Sequence, residues 1–596
     1  MRRTLVSLLI NLGGSALCIG LFLFTFQSSF GQIIPSGRCV TWANNVGIPG
    51  GIPNRTTIYK TLTGLDATGA TDVSSQIQSA LNACPSGQVV YLPAGTYKIN
   101  SALTISSSIT FRGAGPDQTI LVGTISGRNG LVTINSTVLN GQSSSANIIA
   151  GATKGSTNLT IAAADANLHP GYIMMVDQLN DGVFIINDAT DPGGYQRTDT
   201  DDRGTGTRNN SQAVEVQSVN GTAISVWPPL VWTFTNQPQI YYKQASSSSF
   251  NYVENAGVED MCLRNVNPDT TSYYNLYFNR CAYCWARNIR TENAATSHIE
   301  ILNSFRMEVR HCTLSNSVNL AASYGYGLDL EYQTCSSLIE DNIFVKTRDF
   351  IKTDSGSSGN VVIYNYQTNA LANPAAPTFQ GHTGGAHSAH PMMNLFEGNI
   401  TYRPAFDFYW GSSSHQTVAR NWFRGPMPYA AQMGCAILID QAVSYYNVVG
   451  NVLGSPGINS NPNWTTRYST RVSPQSMAYD HVYATIRFGY WSDSDVGGGN
   501  NANTQWANTI VAGNYDYVTG AQAWINPTTA QAIPASYYYS SKPAYFGSLA
   551  WPPIDPAAPT IGETVIPAGY RYAYGVDPSS GSSTNKPAPP TGLHVL

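Results

Sequence analysis

Charge is scarce in this chain. Asp, Glu, Lys and Arg together make up 11% of its 596 residues, with a formal net charge of −4, whereas about a quarter of the residues in ordinary soluble domains are charged. That shortage excludes long solvated helices, a coiled coil and a charged disordered chain. There is no basic run, and the isoelectric point lies near 6.1, so the electrostatic footprint of a nucleic-acid binder is missing. Only one apolar stretch, Leu5 to Phe26, is long enough to span a membrane. What is abundant is Gly (54) and Tyr (35), with the polar content carried by Ser, Thr, Asn and Gln. The balance describes a large β protein, polar but uncharged.

Arg2 and Arg3 precede the apolar stretch, and Ser29-Phe30-Gly31 puts small residues at both recognition positions before a cut that leaves Gln32 as the new N-terminus. This is the layout of a secretory signal. An uncleaved anchor is the alternative, since the stretch could cross a bilayer. The Gly13-Gly14 break and the small-residue site favour cleavage, so a secreted protein, extracellular or periplasmic, with no membrane partner is expected. Eight cysteines then remain: Cys39, Cys84, Cys262, Cys281, Cys284, Cys312, Cys335 and Cys435. An even number permits disulfides in an oxidising compartment, with connectivity open. Cys281-x-x-Cys284 lacks the second close pair of a structural zinc site, so bridges or buried thiols are expected instead.

An internal repeat sets the fold. Asn265, Asn288, Asn342, Asn365, Asn399, Asn421, Asn451 and Asn514, with His311 taking one turn, recur at intervals of 23, 23, 31, 23, 34, 22, 30 and 63 residues. Eight of the nine residues three places earlier are apolar, and every residue directly after is apolar or aromatic. A period near 22 with insertions fits a solenoid of one short coil per repeat; leucine-rich spacing and helix formers are both missing. The physical reading is a parallel β-helix, with coils stacked about 4.8 Å apart and identical positions forming columns. An Asn at a turn tolerates left-handed geometry, and stacked Asn side chains can bond along the column. Insertions must leave as surface loops, where a solenoid usually builds its site.

Gly64-Leu65-Asp66-Ala67-Thr68-Gly69 precedes Thr71 to Leu81, which reads as an amphipathic helix over 72–83 capped by Asp72 with Ile77 and Leu81 on one face. Val89-Val90-Tyr91-Leu92-Pro93-Ala94-Gly95-Thr96-Tyr97 and Ile109 to Gly115 follow. This block, Gly64 to Leu121, resembles the entry of the pectate-lyase-like right-handed β-helix superfamily, in its rhamnogalacturonase/epimerase-like form. The resemblance implies a helix capping the first coil, and an all-β, right-handed parallel β-helix. It leaves activity open, because the superfamily holds lyases, hydrolases, epimerases and phage spikes. Residues 1–31 are then the signal, 32–63 an N-terminal extension, 64–149 the entry, 150–245 an inserted small β unit, 246–550 the main coils, and 551–596 a C-terminal extension with a Pro/Ser/Gly-rich tail.

For chemistry, Arg264, Arg287, Arg310 and Arg420 precede ladder positions. Such a stack could meet an acidic glycan bidentately, or be an outward structural ladder. Asp349 and Asp407 sit in similar segments on coils two steps apart, roughly 9–10 Å at strand spacing; repeat echo alone would also give this likeness. His382, His387 and His390 crowd the insertion before Asn399, with Glu397 close behind, and could ligate a metal or form an acid/base pair. The expected site is a flank groove gathering His390, Glu397, Asp407 and Arg420, with Asp349 from an earlier coil. Tyr402, Tyr409, Trp410 and His387 would contact substrate. Calcium is a possible cofactor; no metal ligand is assigned. The family's hydrolase and lyase signatures are missing: Asp-Asp occurs only at Asp201-Asp202, and Gly381-His382-Thr383 only grazes Gly-His-Gly. Three readings stand: a polysaccharide lyase on a uronate glycan, taken first, with His390 as base and Arg420 neutralising the carboxylate; a glycoside hydrolase using Asp349, Asp407 or Glu397; and a glycan-binding or adhesive solenoid. All three have a polysaccharide partner.

Overall fold

The computed structural model describes residues 33–136, 142–185, 201–245, 250–266, 273–321, 323–373, 384–408, 411–425, 435–440, 443–456, 468–470, 484–490, 506–559 and 562–580. The signal-like segment and the Pro/Ser/Gly-rich tail from 581 lie outside them, as do His382, Tyr409 and Trp410. Among the described residues no helix is long and apolar enough to cross a membrane.

Each coil of the solenoid lays down three short parallel strands. The first face stacks Leu338–Glu340, Val361–Ile363, Leu395–Glu397, Thr417–Ala419 and Asn447–Val449 in register. The second stacks Ile343–Val345, Tyr366–Thr368, Ile400–Thr401, Trp422–Phe423 and Val452–Leu453. The third stacks Ser297–Leu302, Tyr326–Glu331, Asp349–Thr353, Gly384–Ala386, Ala405–Phe406 and Cys435–Asp440. Period-2 alternation sends the middle residue of a first-face strand inward, so Ile339, Val362, Phe396, Val418 and Val448 line the core. Their neighbours Leu338, Val361, Ile363 and Leu395 face outward yet are also apolar, because Trp42, Phe546, Ile554 and Ile566 cover them. A face buried on both sides reads as a continuous apolar run. This is the expected parallel β-helix. The entry helix spans Ser74–Ala83 with Ile77 and Leu81 buried; Asp72 accepts from the Ser74 N–H at 3.0 Å and the Asn100 N–H at 3.1 Å, tying the helix to the next coil.

The asparagine column differs from the expectation in two respects. Its members are Asn342, Asn365, Asn399, Asn421, Asn451 and Asn514, all buried. In the earlier coils that position holds Met261, Ile289 and Cys312, to judge by the strand registers. Asn288 and His311 belong one place earlier, in a column of positive-φ residues (Asp260, Asn288, His311, Asp341, Tyr364, Gly398, Arg420, Gly450, Gly513). The left-handed bend is therefore made by the residue before each ladder Asn, and the Asn is there for its amide. Asn365 Oδ1 accepts from Asn342 N at 3.0 Å and Asn342 Nδ2 at 2.9 Å, while Asn365 Nδ2 donates to Ile339 O at 2.9 Å and Asn399 Oδ1 at 3.0 Å. Every buried polar atom of the side chain is matched. A second ladder at the corner between the third and first faces, Asn360, Asn394 and Gln416, repeats the arrangement.

The insertion is a closed six-stranded barrel running from Ser143 to Lys243, around its own core of Met174, Val176, Val214, Val216, Ile224 and Ile240. The last solenoid strand is Ile510–Asp516, closed by antiparallel Ala521–Asn526, so the coils end well before residue 550. The chain then returns along the first face: Arg420 donates to the carbonyls of Pro534 (2.6 Å), Ile554 (2.9 Å) and Ile533 (3.0 Å), and Arg571 bonds Asp341. Among the described residues the eight cysteines are thiols, seven of them buried.

Candidate active site

The expected convergence of His390, Glu397, Asp407 and Arg420 does not form, because these residues point from three different sides of the coil. Glu397 lies outward on the first face, where its Oε2 accepts from the Tyr537 N–H at 2.8 Å. Burial pushes its carboxyl up to about 7. Arg420 on the same side clamps the returning C-terminal segment, as above. His390 is enclosed at the corner: Nδ1 bonds Ser412 O at 2.7 Å and Nε2 bonds Ser414 Oγ at 2.9 Å, against Phe184 of the barrel. Burial lowers this imidazole to about 4. Tyr402 ends a second-face strand, with its hydroxyl accepting from Asn369 N at 3.2 Å and Arg424 over its ring at 4.0 Å. The arginine column is a structural one in these coils: Glu259 takes Arg112 at 2.7 Å and Arg287 at 3.0 Å, and Glu340 takes Arg310 at 2.8 Å.

Asp349, His387 and Asp407 come from successive strands of the third face, and they are joined there by groups not singled out from the sequence. Ile301, Leu330, Ile351, Ala386, Phe406 and Ile439 point inward, so residues one place to either side stand outward. One outward column runs Tyr277, Glu300, Asp329, Lys352, Gly385, Ala405. The column beside it, one residue beyond the paired positions, runs Glu331, Asp354, His387, Asp407. Both φ and space exclude a side chain at Gly385, whose φ is 148° and whose added Cβ would meet Ala405 O at 2.2 Å. The first column therefore carries no side chain next to Lys352 and His387.

Lys352 Nζ lies 2.8 Å from Asp329 Oδ2 and 2.8 Å from Asp354 Oδ2. His387 Nδ1 lies 2.8 Å from both Asp407 oxygens. Arg348 pairs with Asp349 at 3.0 Å at the other end of that strand, and the Arg348 guanidinium and Lys352 Nζ lie 4.9 and 4.4 Å from the centre of the Tyr326 ring. Burial drives the Asp329 carboxyl above the usual range despite Lys352. Burial acts on Asp354 too, but Lys352 and His387 together hold it below. Burial alone would lower His387; Asp407 and Asp354 instead raise it to about 9. The result is one proton-holding and one ionised carboxyl on adjacent coils, an environment split that marks acid and base roles. Among the described residues no group of three or more His, Cys, Asp or Glu side chains is placed to hold a metal ion, calcium included.

Residues 61–323 match the family described as rhamnogalacturonase A/epimerase, pectate lyase-like. No curated protein matches. Among solved structures the chain is similar to ORF18 of Geobacillus virus E2 (13% identity, 66% of this chain, 56% of that one, TM-score 0.38). It is similar also to the tailspike gp49 of Pseudomonas phage LKA1 (14%, 72% and 73%, 0.47) and to the A-module of the Azotobacter vinelandii mannuronan C-5 epimerase AlgE6 (11%, 76% and 97%, 0.31). Just over half of the Geobacillus virus protein's length is spanned. Over residues 61–323 the chain is thus similar to that family, and its fold is a parallel β-helix. The family match stops before Asp329, so the Lys352 site lies beyond it.

Proposed function

We propose that this protein is an exported, carbohydrate-active enzyme that hydrolyses glycosidic bonds of a polysaccharide at the third-face site. The observation that carries the reading is the pair Asp329 and Asp354 on one ammonium. Two oxygens each 2.8 Å from Lys352 Nζ lie about 4.6 Å apart at the tetrahedral angle of an ammonium, within about an ångström of the roughly 5–5.5 Å carboxyl separation of retaining glycosidases. Asp329, which keeps its proton, donates to the leaving oxygen; ionised Asp354 attacks the anomeric carbon; water then releases the sugar, with Asp329 as base. Lys352 fixes the spacing. The family matched by residues 61–323 is named for polysaccharide-acting enzymes, and the signal-like leader supports action outside the cell.

A uronate lyase is less well served. Its substrate carboxylate needs surplus cations, and here Asp329, Asp354 and Asp407 surround Lys352 and His387. The test is a glycan panel followed for both new reducing ends and ultraviolet absorbance of unsaturated ends. Reducing ends without absorbance are expected; absorbance would overturn hydrolysis, and neither signal would leave a binding protein.

A further inference from the structure

Within that glycan-cleaving reading, we propose that the N-terminal end of the third-face groove is a subsite for a cationic sugar, taking the protonated amine of a 2-amino-2-deoxy unit beside the cleaved bond. Glu300 pairs with Asp329 in register and shares a hydrogen bond with Glu331, so two carboxyl groups sit together with one proton between them. Two further acceptors on neighbouring coils, Asn279 Oδ1 and Asn303 Oδ1, are buried without a hydrogen-bond donor among the described residues. Asn279 is two coils from Glu331 in the same column, and Asn303 N bonds the Glu331 and Tyr332 carbonyls. Tyr277 precedes Glu300 in its column, and its ring stacks on Tyr274 at 5.0 Å.

The cluster thus offers acceptors and ring faces. An ammonium supplies what it lacks, three N–H donors and a positive charge, and tyrosine faces attract cations. An N-acetyl group offers one donor and no charge, and a uronate adds a repelled charge. The neighbouring cations are Arg128, exposed at the rim, and Lys352, engaged by Asp329 and Asp354. Burial first, and Asp329 and Glu331 next, hold the Glu300 carboxyl well above its ordinary range, so binding a cation should expel the shared proton to solvent.

The experiment is calorimetry on the full chain carrying Asp354→Asn, so that binding is read without cleavage, in two buffers of different ionisation enthalpy. The probes are a short glucosamine oligosaccharide, its N-acetylated counterpart and calcium chloride alone. The expected result is saturable binding of the glucosamine probe with net proton release. Affinity should fall about tenfold or more in Glu300→Gln and in Glu331→Gln, each checked for an unchanged melting temperature. Equal or tighter binding of the N-acetylated probe, calcium binding that releases the same proton and blocks the sugar, or no binding would each overturn the proposal. If amine binding persists while the active chain cleaves nothing, the hydrolase reading fails and the subsite stands.

Discussion

The first and third faces are built from the same coil, yet they treat buried carboxylates in opposite ways. On the first face the buried acids are met by arginines, hydroxyls or backbone N–H groups. Glu259 lies between Arg112 and Arg287. Glu340 meets Arg310 and the hydroxyls of Tyr539 and Tyr545, and Glu397 takes a backbone N–H. On the third face carboxyl groups outnumber cations: Asp329 and Asp354 share one lysine, and Glu300 and Glu331 share a hydrogen bond. Arginines and backbone donors shared along the first-face column hold segments together; carboxyl groups crowded around too few cations shift one another's protonation, which is what acid/base chemistry needs. Column stacking alone does not tell structure from chemistry; the balance of carboxyl groups and donors does.

The largest expected effect separates the two faces by activity. Asp354→Asn should lower turnover roughly 10²–10⁴-fold on whichever glycan the panel identifies, with little change in melting temperature. Glu340→Gln should keep turnover and melt earlier. If both variants behaved alike, the distinction drawn here would collapse. Next comes the clamp. Arg420→Ala removes three charge-assisted bonds to the C-terminal segment, at about 1 kcal/mol net each, so chemical denaturation should show a loss of about 3 kcal/mol. A loss below about 1 kcal/mol would mean that the apolar cover of Phe546 and Ile554 holds the segment without it. Asn365→Ala is third. It strands the Asn342 N–H and takes one acceptor from the Asn342 amide inside the coil, while Asn399 Oδ1 keeps the backbone N–H of position 365, at about 2 kcal/mol by the cost of one or two unsatisfied buried groups. The same change in the exposed Asn82 should be nearly silent.

The fold was legible from residues because the Asn column is both periodic and flanked by apolar positions. Its first members were misplaced because Asn265 and Asn288 imitate the 23-residue interval while serving other posts: Asn288 makes the left-handed bend, and Asn265 closes a second-face strand. The site was legible only in part. Asp349 and Asp407 were found by counting forward from the ladder, across the variable turn between the second and third faces. Counting backward crosses the corner, whose length varies less: Glu331, Asp354, His387, Asp407 and Asp440 precede their ladder Asn by 11, 11, 12, 14 and 11 residues. That regularity would have found Asp354 beside His387. It would not have found Asp329 or Lys352, whose importance lies in a shared ammonium that only the register between coils reveals. The histidine-rich insertion misled for a related reason. His387 and His390 are three residues apart, but the chain turns the corner between them and sends one to the groove and the other to the barrel seam.

That seam supplies the smallest and last prediction, and it tests whether a polar cluster away from the third face is structural. His390 and His415 both bond Ser414 Oγ, at 2.9 and 2.7 Å. His415 stacks on Tyr445 at 5.0 Å and meets Trp232 of the barrel edge-on at 4.9 Å. Burial lowers His390 to about 4 and His415 to about 3. Both folded values lie below the free imidazole near 6.5, so the unfolded chain takes up protons first as pH falls. The stability these rings contribute is therefore complete above about pH 6.5 and is lost progressively toward pH 4. At pH 5.5, one unit below the free value, each should cost about 1.4 kcal/mol. His298, also buried and lowered to about 3, adds a like share while His387 gains, so in melting curves between pH 7.5 and pH 5.5 His415→Phe, which keeps the ring contacts but cannot take a proton, should lose about 1.4 kcal/mol less than the parent chain. His387 runs the other way: with a value near 9, its contribution is complete below about pH 6.5 and is lost as pH rises from there through 9. The seam's share of the acid loss is thus read from the difference between the two chains. An acid loss unchanged in His415→Phe would place the sensitive protons elsewhere.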